Sequence, residues 1–231
     1  TENAGSLTIC AANEGESYSH NAVNVNDGAS LVIAGYADVT VSVNGNEYSK
    51  DDHLMGMWGG GNNTLVITDH ASLTTDSPDF VSDNGYEGIG WFGEIRVEES
   101  AQLNTTTLGL GRYNDENGRF RGSGSFIQTG GTTTIEALGR SHDGRVNYDG
   151  FRIDKDTAAF IYGGHLIIQA PEGAAEQEGY EWFNGIQVQG HLEIGINPDH
   201  PDKESIGSAA EEALVEIQIP GIVILSDPFK V

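Results

Sequence analysis

The sequence predicts an all-β chain, a parallel β-helix (β-solenoid) with coils of about 30 residues, long surface loops and a short C-terminal helix. Three observations lead there: a repeat at that offset, a period-two apolar pattern inside each copy, and Gly- or Asn-bearing joints between strands. The 231 residues are read as one domain, with the repeats over about 29–195 and a C-terminal cap over 196–231.

The repeat is clearest between residues 64–75 and 94–105. Laid on each other, Leu65 meets Ile95, Ile67 meets Val97, Ala71 meets Ala101 and Leu73 meets Leu103. Looser copies occupy residues 125–135, 159–168 and 186–194, and residues 29–41 supply an earlier one. The copy at 125–135 places Ile127 over Val97. Alternation puts one face of each strand inward. A short amphipathic strand pair cannot bury that face alone, but stacking coil on coil makes a continuous core. The polar stretches between copies, such as 76–86 and 113–121, leave the stack as loops, where binding residues usually sit.

Gly, Thr, Asn and β-branched residues make helix rare. The exception is 205–213, where Ser208 and Glu211 have capping-box spacing. Beyond it, 214–225 is apolar and β-branched, and Pro220-Gly221 reads as a turn joining a terminal strand pair. The single cysteine, Cys10, excludes an intrachain disulfide framework and reads as a small buried residue.

Charge narrows the partners. Acidic residues outnumber basic ones by 35 to 11, for a formal charge of −24. Phosphate contacts need Lys and Arg, so nucleic acid is not the expected partner, and an anionic membrane would repel the chain. No segment has the run of apolar residues that a membrane-spanning helix needs.

Residues 108–112, Leu-Gly-Leu-Gly-Arg, and 124–140, with Gly-Ser-Phe, Thr-Gly-Gly and Leu-Gly-Arg in succession, carry a family likeness. They resemble the repeats of autotransporter passengers and related bacterial surface β-solenoids. The resemblance implies a right-handed parallel β-helix, a secreted or cell-surface location, and adhesion or display. It is closest over 108–140 and looser over 29–195, and it carries no fixed catalytic residues to transfer.

Two groups of side chains are candidates for ligand binding. The first is basic: Arg112, Arg119, Arg121, Arg140, Arg145, Arg152 and Lys155 cluster in sequence. Of these, Arg140, Arg145 and Arg152 are the chosen candidates, because guanidinium forks match carboxylate and sulfate groups. Local pairing with Asp143, Asp149 and Asp154 is the competing reading. The second group is aromatic: Trp58, Trp91 and Trp182 each adjoin glycine or polar residues, where an indole offers a flat apolar platform. Packing at the end of the core is the competing reading there.

Together these suggest weak binding of carbohydrate or another surface partner without catalysis. A polysaccharide-degrading enzyme, a lyase or glycosidase acting on an anionic glycan, is the first alternative, with Asp143, Asp149, Asp154, Arg145, Arg152 and Lys155 as the set to test. A passive stalk is the second. No cofactor is expected. Ca2+ is the one ion whose oxygen ligands are plentiful, at Asp51-Asp52, Asp76/Asp79/Asp83 and Asp149/Asp154/Asp156, though none of these fits an EF-hand loop. Threonine ladders of the ice-binding kind are not favoured, because the Thr triplets occur only at 105–107 and 132–134.

Overall fold

The computed structural model describes residues 4–13, 20–45, 54–76, 86–113, 120–121, 123–136, 149–169, 184–195, 214–218 and 224–225. Within them the chain is all β, with no helix, and its parallel strands coil into a β-solenoid. The expected helix at 205–213 lies outside the described residues, as does the Pro220-Gly221 turn.

Each coil passes through three sides, and like sides stack into three rows. Row one contains β2 (His20–Val25), the first part of β5 (Leu54–Ile67), the first part of β7 (Tyr86–Val97), β9 (Leu108–Leu110), β13 (Asp149–Ile153), β15 (Asn184–Val188) and β18 (Ile224–Leu225). Row two contains β3 (Ser30–Ile33), the remainder of β5 and β7, the first part of β12 (Ser125–Glu136) and of β14 (Ala158–Gln169), and β16 (His191–Ile194). Row three contains β1 (Ser6–Asn13), β4 (Asp38–Gly45), β6 (Ser72–Asp76), β8 (Gln102–Thr105), the remainder of β12 and β14, and β17 (Leu214–Gln218). Every pairing within these rows is parallel. A small antiparallel pair, β10 (Arg112–Tyr113) with β11 (Phe120–Arg121), stands apart.

The register follows the apolar pattern. Leu65 pairs with Ile95 and Leu73 with Leu103, as the repeat predicts. Row two carries two interior columns: Leu31, Leu65, Ile95, Phe126, Ala159 and Leu192 in one, and Ile33, Ile67, Val97, Gln128 and Ile161 in the other, which continues to the exposed Ile194. Leu65, Ile95 and Phe126 are fully buried, so each side chain that this ladder removes from water adds about 1.5–3 kcal/mol before chain entropy is counted.

One alignment differs from the expectation. Ile127 pairs with Arg96, on the exterior, while Gln128 takes the interior place above Val97. The coil between Ile95 and Phe126 is one residue longer than the coil below it, and a one-residue slip exchanges the two faces of a strand. Gln128 is therefore fully buried in an aliphatic column, donating from Nε2 to the carbonyls of His165 (2.9 Å) and Gly131 (3.3 Å).

The corners explain the joint residues. Between rows two and three, successive coils place Gly35, Asp69 and Glu99 at φ of 70°, 60° and 56°. The corner backbones hydrogen-bond upward, His70 N–H to Gly35 O at 2.9 Å and Ser100 N–H to Asp69 O at 3.0 Å. Later coils use the Gly-Gly form. Gly131 sits at φ 67°, and a Cβ there would stand 2.2 Å from the Ala101 carbonyl oxygen, so only glycine fits. Asn63, nearly fully buried at the corner between rows one and two, ties coils together: Nδ2 donates to Val25 O and Gly60 O, and Oδ1 accepts from Gly28 N–H.

Two further expectations are corrected. β17 and β18 do not pair with each other; each adds to the stack, β17 on β14 in row three and β18 on β15 in row one. Cys10 is exposed, because β1 alternates with Ile9 inward and Cys10 outward beside Ser42.

Candidate functional site

The exterior of row one differs from the other two sides. Its interior parity is fixed by Met57, Ile89, Leu108, Phe151 and Ile186, all buried, which stack in register. The next residue on each strand therefore points outward. Those residues are Trp58, Gly90, Gly109, Arg152 and Gln187, each paired with the one before it. The preceding residues, Gly56, Gly88, Gly150 and Gly185, are buried, as are Gly90 and Gly109; a Cβ on Gly88 would meet the buried hydroxyls of Thr75, Thr105 and Thr106.

Trp58 is half-buried, its ring meeting Phe92 edge-on at 6.1 Å between centroids. Trp91 faces the opposite way. It is fully buried, donating from Nε1 toward Asn63 O at 3.4 Å. The run Gly59-Gly60 seats both indoles. A Cβ on Gly59 would stand 2.5 Å from Trp91 Cδ2, and one on Gly60 would stand 2.5 Å from Trp58 Cη2. Trp91 is thus a core residue and not the displayed platform that the sequence suggested, because the period-two pattern of β7 aims it inward with Ile89.

Arg152 stands three rungs from Trp58, about 14 Å at the usual parallel strand spacing. Its Nη2 lies 3.5 Å from Asp154 Oδ1, and both side chains are mostly buried. Asp154 also supports the local turn, its carbonyl accepting from Thr157 Oγ1 at 2.7 Å. Of the other candidates, Arg140, Arg145 and Trp182 lie outside the described residues. The structure therefore brings Trp58 and Arg152 into one column and removes Trp91 from it.

Gln187 was missed by sequence reasoning. It is 8% exposed, and its Oε1 is buried with no hydrogen-bond partner. Thr106 is similar, 6% exposed with Oγ1 unpartnered, and this oxygen would lie 2.8 Å from a Cβ built on Gly88. Parity between Ile186 and Val188 placed Gln187 outside, but its seclusion depends on the fold. The three threonines 105–107 are all buried, so they form no display ladder. Thr75 Oγ1 donates to Thr105 Oγ1 at 2.6 Å, Thr105 Oγ1 to Thr107 O at 2.9 Å, and Gly88 N–H to Thr107 Oγ1 at 2.9 Å.

Row two's exterior is internally satisfied. Arg96 Nε meets Glu94 Oε1 at 2.6 Å and Nη1 meets Glu98 Oε1 at 3.4 Å. The hydrogen bond that Arg96 donates to Glu94 raises the Arg96 pKa above its ordinary value, against a burial that pulls it down. Further along, Phe160 contacts both Tyr162 and His191, and Tyr162 Oη donates to Glu193 Oε1 at 3.2 Å. Among the described residues no His, Cys, Asp and Glu group has a metal-holding arrangement. No protein-family model, curated protein or solved structure matches this chain.

Proposed function

We propose that this β-solenoid is a secreted or cell-surface module of the adhesin kind, similar in role to autotransporter passengers, that holds an anionic glycan weakly on row one and leaves it chemically unchanged. One observation carries the reading: Trp58 and Arg152 stand in the same exterior column with only Gly90 and Gly109 between them. An indole supplies apolar stacking area and a guanidinium supplies paired donors for a carboxylate or sulfate. Weak single-site binding suits a surface molecule, since many copies on one surface multiply avidity.

The test is a panel of neutral, uronic and sulfated polysaccharides, read for both retention and product release. Retention of a uronic polymer should fall about tenfold in Arg152→Ala, the scale of one charge-assisted hydrogen bond. Trp58→Ala should weaken uronic and neutral polymers alike. Release of sugar fragments, lost on replacing Asp149 or Asp154, would establish the polysaccharide-degrading alternative. Absence of retention by every polymer would leave a passive stalk.

A further inference from the structure

The two ends of the stack differ from its middle, the first coil most of all. Among the described residues β1, β2 and β3 each pair on one side only, β1 with β4 and the other two with β5. Their outer edges leave backbone N–H and C=O groups open to a further strand. Leu7 pairs with Val39, in the interior column that continues to the fully buried Leu73 and Leu103, yet Leu7 is 54% exposed. Ile9, Val23 and Leu31, interior residues of the same coil, are only partly buried. Edge strands are commonly guarded by charged side chains or proline. The sequences of β1, β2 and β3 contain no Asp, Glu, Lys, Arg or Pro, in a chain of net charge −24. Uncharged strands around an open apolar core have the composition of the centre of a protein interface.

We infer that this end of the solenoid docks on the same end of a second copy of the chain, in a twofold dimer. The strand rows choose the orientation. Among the described residues rows one and three have seven strand levels and row two has six. Stacking the copies head to tail, with β17 on β1 and β18 on β2, would leave row two one strand short, between β16 and β3. Placing first coil on first coil leaves no gap. A twofold axis through the middle of row one sets β2 beside β2 of the other copy, and each copy's β1 beside the other's β3. The outer edges of both first coils are then paired, antiparallel across the junction. Leu7 and Ile9 of each copy come against Leu31 and Ile33 of the other, and the two open cores close on each other. A self-complementary contact of this kind stops at two copies, whereas a head-to-tail contact propagates. The dimer needs no glycan and leaves the exteriors of the rows outside.

Sedimentation velocity of the whole chain over a concentration series tests this, in reductant so that the exposed Cys10 cannot link copies. Wild type should pass from monomer to dimer and go no further. Leu7→Lys should weaken the dimer at least about tenfold, the scale of one apolar side chain lost from an interface. Its far-UV circular dichroism should match wild type, because the side chain already stands half in water. Leu7→Met, which keeps an apolar side chain, should remain dimeric. Ile194→Lys, at the opposite end of the stack where the core column is 39% exposed, should dimerise like wild type. A series of species beyond the dimer, dissociated by Ile194→Lys, would establish head-to-tail stacking and overturn the inference. A wild type that stays monomeric at every concentration would overturn it as well, as would a dimer that Leu7→Lys leaves intact.

Discussion

Rows one and two are built on the same kind of interior and have opposite exteriors. Inside, both are aliphatic ladders: Ile89 and Leu108 in one, Leu65 and Ile95 in the other, all fully buried. Outside, row two carries Arg96 held by Glu94 and Glu98, followed by an aromatic group around Phe160 whose polar partner is Glu193. Its side chains satisfy each other. Row one's exterior column places the buried Gly90 and Gly109 between Trp58 and Arg152, followed by Gln187, whose Oε1 has no partner. Stability requires only the inward set, so the outward set is free to differ from side to side. Buried polar atoms without a partner occur on all three rows, at Gln187 Oε1 in row one, Gln128 Oε1 in row two and Thr133 Oγ1 in row three.

The comparison is broken most severely by removing an interior ring. Phe126→Ala and Trp91→Ala should each cost about 3–5 kcal/mol in denaturant unfolding, as large aromatics deleted from a packed core do. Trp58→Ala, on the half-buried exterior, should cost clearly less while reducing glycan retention. Equal losses for Trp58 and Trp91 would mean that the two faces of the Gly59-Gly60 corner are not distinct.

A smaller effect belongs to the corners. Gly131→Ala should destabilise by about 1–3 kcal/mol, because a left-handed residue there also meets the Ala101 carbonyl. Glu99 occupies a left-handed corner one coil earlier, and Glu99→Gly should be neutral or slightly stabilising. The smallest effect is at Arg96. Its exposed ion pairs predict a change under about 1 kcal/mol for Arg96→Ala, and no change in glycan retention. Register in row three can be checked separately. Cys10 pairs with Ser42, so Ser42→Cys should form a disulfide under mild oxidation, detected as a mass loss reversed by reductant.

The sequence made the stack legible where coils keep equal length. Leu65 over Ile95 and Leu73 over Leu103 follow from alternation and a constant offset. It failed where length changes by one. The extra residue before Phe126 turned Ile127 outward and drew Gln128 into the core, which no composition pattern signals. It failed again where a loop moves. β9 begins soon after β8 ends, and the β10–β11 pair is inserted on the following connection instead, so the coil phase of row one cannot be followed by a fixed period. Trp91 resembles a loop aromatic in sequence because Gly88 and Gly90 disguise a strand; glycine is depleted in strands, yet here Gly88 leaves room for the buried hydroxyls of Thr75, Thr105 and Thr106. Of the site, the chemistry of Trp58 and Arg152 was legible, but their alignment was not. Gln187 became visible only with its burial.

The most direct measurement is amide chemical-shift mapping during a polygalacturonate titration of the isotope-labelled chain. The account predicts shifts concentrated on row one, at Gly90, Gly109 and Arg152 with its neighbour Gln187, together with the indole N–H of Trp58, and a quiet row two around Arg96 and Phe160. Shifts centred on Arg96, Phe160 and His191, with row one unchanged, would contradict it.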